Sequence, residues 1–260
     1  MLRDEVVKAM AGRRAIITGG SKGCGAVIAR TLAGAGMDIA IVGRNEADLH
    51  RTKDEIEAAG GSCLVIKADL STAAGARDAG EAALRAHASW DVLVNNAGVV
   101  HAAPLADMTV EQWEATFAVD LRAVLVLTQI VVRPMLARRG GKIINISSIG
   151  SYFGTPGLGA YAAAKAGLNQ LTRTMAVEWG PHNVQANAIC PTVIMTEMGH
   201  AFWDDPAHLA AKDAKLQRIP AHRFAETQDI ADLVLFLASP SADFINGVCI
   251  PLDGGMSVTP

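Results

Sequence analysis

Short, almost wholly apolar runs rich in Val and Ile alternate along this chain with longer stretches whose apolar positions recur every three or four residues. The runs are RAIIT, MDIAIVG, SCLVIK, WDVLVN, GKIINI, NVQANAIC and VCIPL, each soon followed by Gly, Asn, Asp, Ser or Pro. Apolar residues at successive positions predict strands covered on both faces. Between them lie VIARTLAGAG, EADLHRTKDEIEAAGG, the segment before Trp90, a long run from Thr109 to Arg138, AYAAAKAGL and TQDIADLVLFLAS, all with helical spacing. This alternation predicts one Rossmann-like α/β domain over residues 1–260, a doubly wound parallel sheet flanked by helices. The stretch from about 192 to 224 breaks the alternation. It is irregular to helical and reads as a lid and substrate wall over a strand end.

Composition narrows the partners. Lys and Arg number 23 against 26 Asp and Glu, a net charge of -3, and no basic cluster interleaved with aromatics occurs, so no nucleic-acid partner is expected. The histidines show neither H-E-x-x-H nor zinc-like spacing, so no metal is expected. Cys24, Cys63, Cys190 and Cys249 lie far apart without a C-x-x-C pair and are expected to be reduced. The start, MLRDEVVKAMAGRR, is charged too early for a signal peptide. The most apolar helical run, Leu121 to Val132, is interrupted by Arg122 and short for a bilayer. A cytoplasmic protein without a membrane partner is the expectation.

The first strand runs into Thr18, Gly19, Gly20, Ser21, Lys22, Gly23, Cys24 and Gly25, and a helix follows. Glycines let backbone approach a pyrophosphate, and the helix N-terminus offers free N–H groups and a positive dipole end. A phosphate cradle is therefore expected, with an ordinary glycine-rich turn as the alternative. At the end of the second strand, where an acidic residue would take the ribose 2′-hydroxyl of NAD, the chain has Gly43 and Arg44. A guanidinium suits a 2′-phosphate, so with Lys22 as a second cation NADP(H) is preferred and NAD(H) is admitted. Asp69, with Leu70 beside it, ends the third strand and suits an adenine amino group or a helix N-cap. Asn95, Asn96, Ala97 and Gly98 end the fourth strand, and amide side chains there lie where such sheets bind ligands, although Asn95 suits bracing of neighbouring strands equally well.

The fifth strand delivers Ser148, and the helix AYAAAKAGL carries Tyr161 and Lys165 four apart, hence on one face. A cation within several ångströms favours the ionised form of a phenol, so Tyr161 is a candidate acid and base and Ser148 a candidate partner of the same reacting oxygen. Taken alone, Tyr-x-x-x-Lys is common on helices. Asp120, amid apolar residues of the long helix, needs a partner because an unpaired buried carboxylate is costly. Thr192, Met198, Phe202 and Trp203 are the candidate substrate wall.

TGGSKGCG, NNAG, Ser148, YAAAK and LDGG, in this order over essentially the whole chain, resemble the short-chain dehydrogenase/reductase family. The resemblance implies that Tyr161 is the general acid and base, that Ser148 orients the carbonyl, and that Lys165 binds the nicotinamide ribose and eases ionisation of the tyrosine. It further implies that Pro191, Val193, Ile194 and Thr196 hold the nicotinamide end, and that the protein is a homotetramer built on the long helices and the C-terminal strand. Asp120 stands where the family usually has a proton-relay asparagine, where a carboxylate either sustains the relay or pairs with Lys165 and weakens it, and Thr192 stands where the family has glycine after Pro191. CPTVIMTEMGHAFWDDP, RIPAHRFAE and VEWGPHNVQANA look like the dicarbonyl/L-xylulose reductase branch. The implied activity is interconversion of a ketone (a keto-sugar, a polyol partner or a small dicarbonyl) with its alcohol. A 3-oxoacyl-thioester or hydrophobic-ketone reductase, and a dinucleotide-binding sensor, are the alternatives.

Overall fold

In the computed structural model the described residues are 2–259, apart from the side chains of residues 2–4 and 198. The apolar runs form β1 (Arg14–Thr18), β2 (Asp38–Gly43), β3 (Ser62–Lys67), β4 (Val92–Asn95), β5 (Gly141–Ile146) and β6 (Val184–Pro191). Two short strands that periodicity does not reveal, β7 (Ile194–Met195) and β8 (Ala225–Glu226), pair only with each other, and β9 (Cys249–Leu252) closes the chain's last pairing. The main sheet is parallel throughout, in the order β3-β2-β1-β4-β5-β6-β9. The order reverses between β1 and β4, so their carboxyl ends diverge into a crevice, the usual ligand position in such sheets.

The helices are α1 (Leu2–Met10), which the sequence pattern did not single out, α2 (Gly23–Gly34), α3 (Glu46–Ala58), α4 (Ala73–Ala86), α5 (Val110–Phe117), α6 (Ala123–Arg138), α7 (Gly159–Trp179), α8 (Glu197–Trp203), α9 (Leu209–Leu216) and α10 (Thr227–Ala238). Alternate strand residues serve opposite layers. Ile39 and Ile41 join Ile28 and Leu32 of α2 and Val234 of α10, whereas Ala40 and Val42 join Ala76 of α4, Leu127 of α6 and Met175 of α7. Each fully buried Ile or Leu contributes about 1.5–3 kcal/mol. A third, smaller apolar cluster, with Cys190, Ile219, Phe224 and Met256, lies under the 192–224 stretch.

The long helix expected from Thr109 to Arg138 is not uniform. Thr109 caps α5 in a reciprocal box with Gln112, but between α5 and α6 the chain makes a π turn over Ala118–Arg122. Such single wide turns are frequent at functional sites, and this one carries Asp120. Counted whole, the run Val110–Arg138 has 29 residues and a mean hydropathy of 1.8 in its most apolar window. That is longer than the Leu121 to Val132 stretch suggested, and enough by length and composition to cross a bilayer. Half of the window is buried in the protein, as in a core helix.

Candidate active site

The turn between β1 and α2 follows from its glycines. Gly19 and Gly23 have φ of +65° and +55°, and a Cβ on Gly25 would stand 2.1 Å from the Gly19 carbonyl oxygen. The α2 N-terminus receives no side-chain cap, which leaves its first N–H groups for an anion. Opposite, Asn96 braces the turn: its Nδ2 donates to Thr18 O at 2.8 Å, while Asn96 N and Ala97 N both donate to Thr18 Oγ1. A groove of about 450 Å³ runs along these ends, lined by Gly19, Ser21, Lys22, Gly23, Cys24, Gly25, Arg44, Asp69, Leu70, Ala97, Gly98 and Thr196. All twelve are residues that the sequence put forward for a dinucleotide. Among the described residues neither Lys22 nor Arg44 is engaged by a carboxylate. The cradle, the free helix end and the two cations fit a dinucleotide that carries an additional phosphate.

Several expectations change. Asn95 does not line the groove; it is 2% exposed and its Nδ2 donates to Thr128 Oγ1 at 3.1 Å and Asn145 Oδ1 at 2.8 Å. It braces strands and helix, and the next residue, Asn96, takes the groove position because successive strand side chains point to opposite faces. Asp69 is not the N-cap of α4, a role that Thr72 fills through Gly75 N. The Ser71 N–H and hydroxyl, with Arg44 further off, hold the Asp69 carboxyl below the usual carboxylate range. Pro191, Val193 and Ile194 do not line this groove. Pro191 pairs with Leu252 and Val193 O accepts from Ala225 N at 3.0 Å, and these pairings carry Thr196 forward. Ser71 and Glu197 line the groove without having been singled out, and Asn96, named with Asn95 at the strand end, lines it as well.

Cys24, though at a helix start, has its thiol pushed up to about 11 by burial, and Cys63 up to about 12 for the same reason. All four cysteines are free.

Lys165, with Tyr161 and Asp120 about it, stands beside Gly98. On α7, Lys165 Nζ lies 5.5 Å from the centre of the Tyr161 ring, with Tyr161 half-buried. Lys165 Nζ donates to Ile146 O at 3.0 Å and stands 3.2 Å from Asp120 Oδ2; the two side chains are 4% and 0% exposed. Asp120 Oδ1 accepts from Val99 N at 2.8 Å, whereas Oδ2 has no directed hydrogen bond, so its contact with Lys165 is one of charge. A Cβ on Gly98 would lie 3.2 Å from Asp120 Oδ2 and 3.5 Å from Lys165 Nζ, so the pair sits directly behind the groove. Ser148, half-buried, accepts from Gly150 N at 3.0 Å and thereby caps a short 3-10 turn. This bond orients Oγ and leaves its O–H as a donor. Ser147 Oγ, donating to Lys165 O at 3.2 Å, ties β5 to α7.

Of the proposed wall, Thr192 and Trp203 are partly buried, and Trp203 packs 5.1 Å from Phe224 in the third cluster. Phe202 is 48% exposed and stacks on His208 at 3.9 Å. It leaves the wall because neighbours on a helix point about 100° apart. The Met198 side chain lies outside the described residues.

Sheet, groove and buried lysine define a class, the Rossmann-type dinucleotide-binding proteins. A family profile described as enoyl-(acyl carrier protein) reductase matches residues 19–257, and the L-xylulose reductase of Bos taurus is 40% identical over 96% of this chain and 98% of its own. The chain belongs to the short-chain dehydrogenase/reductase family, oxidoreductases acting on CH–OH groups. The D-threitol dehydrogenase of Mycolicibacterium smegmatis is 34% identical over 95% of this chain and 94% of its own. The crystal structure of a gluconate 5-dehydrogenase from Burkholderia cenocepacia, in complex with NADP and tartrate, superposes with a TM-score of 0.90 at 35% identity, covering 98% of this chain and 99% of the other.

Proposed function

We propose that this protein is an NADP(H)-dependent oxidoreductase that interconverts the keto group of a sugar or small dicarbonyl with the corresponding alcohol. The observation that carries this reading is Lys165, set between the Tyr161 ring and Asp120 directly behind Gly98 of the groove that bears Lys22 and Arg44. Bound NADPH supplies a hydride to the carbonyl carbon. The glycine turn and the α2 N-terminus hold the pyrophosphate, and Arg44 with Lys22 holds the 2′-phosphate; an NAD(H) activity remains compatible with this groove. Ser148 donates to the substrate oxygen, and Tyr161 gives that oxygen its proton as the C=O bond opens. In the reverse direction the tyrosinate takes the alcohol proton. The keto-sugar or polyol class is supported by relatives named L-xylulose reductase, D-erythrulose reductase and D-threitol dehydrogenase.

A second reading, reduction of a 3-oxoacyl thioester or hydrophobic ketone, is favoured by the apolar cluster around Trp203, Phe224 and Met256. NADPH oxidation measured side by side with xylulose, diacetyl and an acetoacetyl thioester separates the two. Turnover of the thioester alone would overturn the sugar reading.

A homotetramer is supported by the exposed apolar residues Val110, Trp113 and Leu125 on α5 and α6, and by Val248 beside the edge strand β9. Light scattering on the purified protein tests it, and a monomer would refute it. The four free cysteines support a cytoplasmic setting.

A further inference from the structure

Asp120 sets its carboxyl in a place sealed from water. The π turn carries it there, Val99 N fixes one oxygen, and the other stands against the ammonium of Lys165. That ammonium is also the cation nearest the Tyr161 ring. A lone cation at this range favours tyrosinate, and a carboxylate on the same cation cancels much of its field. The remaining surroundings supply little charge. On α5, Thr116 Oγ1 lies 3.1 Å from His101 Nδ1, and Glu111 and Glu114 are exposed. Arg122, on the same turn as Asp120, is exposed and reaches outward to Ser71 O. β5 offers the Ile146 carbonyl, and the segment after β4 the Val99 amide.

We propose that Asp120 is a positioning residue whose charge offsets that of Lys165, so that Tyr161 releases its proton at higher pH than beside an uncompensated lysine. The tyrosinate that alcohol oxidation needs is thereby formed at higher pH. This inference rests on Tyr161 being the acid and base of the proposed function. Asparagine in place of Asp120 would keep an acceptor for Val99 N while removing the charge.

The test exploits the chain's two tyrosines. The other, Tyr152, donates its hydroxyl to Cys249 O at 2.8 Å, and burial pushes its phenol well above the usual tyrosine range. Tyrosinate absorbance is titrated on the full chain as wild type, Asp120→Asn and Asp120→Ser, with Tyr161→Phe identifying the Tyr161 step. In both Asp120 variants the Tyr161 midpoint should fall by about one pH unit or more, and the acid limb of the dehydrogenation pH profile should move with it. An unmoved midpoint in a variant that binds NADPH as the wild type does would overturn the proposal, as would loss of fold in both variants. If no sugar ketone or polyol is turned over, the proposed function fails, while the tyrosine titration still decides this inference.

Discussion

Gly25 and Gly19 approach so closely that a single Cβ on Gly25 would stand 2.1 Å from the Gly19 carbonyl oxygen and 2.6 Å from Asn96 Nδ2. No rotamer relieves this, because both obstacles belong to the bracing of the turn. Gly25→Ala should therefore lose NADPH binding, read as loss of cofactor fluorescence enhancement. It should also cost about 1–3 kcal/mol of stability, as overpacking does.

Arg44 is exposed at the groove, and no carboxylate among the described residues forms a salt bridge with it. Hydrogen bonds to a charged group are worth about 1.5–3 kcal/mol, so Arg44→Asp should lower preference for NADPH over NADH by about 10- to 100-fold. Steady-state ratios of kcat/KM with the two cofactors measure it, and an unchanged ratio would remove Arg44 from 2′-phosphate recognition.

Replacing Tyr161 by Phe removes one oxygen and leaves the groove untouched. Reduction should fall by about 100-fold or more, the usual worth of a general acid, while NADPH affinity stays within a few-fold. Retained turnover would move the proton donor elsewhere.

Asp253 is 7% exposed and accepts from Ser257 N at 2.7 Å and Gly255 N at 3.0 Å. Burial alone would raise its carboxyl, but these donors prevail and hold it below the ordinary range. A depressed carboxylate stabilises the fold above its unfolded value, near about 4, and that contribution disappears as pH falls through the lower folded value. Urea unfolding should thus find Asp253→Asn less stable than wild type at neutral pH, with the gap closing below about pH 4.

Much of this site was legible because its signals are local. The glycine turn, Arg44 and Asp69 each sit at a strand end, and chain order places strand ends together in a parallel sheet. Tyr161 and Lys165 needed only helical spacing. What escaped depended on single-residue geometry. Asn95 and Asn96 are chemically identical, and only the strand's pleat assigns one to bracing and the other to the groove. Phe202 and Trp203 are likewise separated by one helical step. The π turn at Asp120 leaves no mark in the hydrophobic period, since one inserted residue hides within a helix apolar almost all round. The strands Ile194–Met195 and Ala225–Glu226 are too short for any period.

The buried pair Asn95 and Asn145 acts as a gauge. A parallel sheet of aliphatic strands is nearly indifferent to sliding one strand by two residues, because every side chain keeps its face. Asn145 removes that freedom: it lies in register with Asn95, accepts from it at 2.8 Å, and donates to Thr172 of α7 at the same distance. A slide of β5 would orphan these amides at about 1–3 kcal/mol each. Ser148 lies three residues beyond Asn145. The distance by which that serine protrudes toward the Tyr161 helix is therefore set deep in the core, by a measurement that Ser148 and Tyr161 themselves do not make.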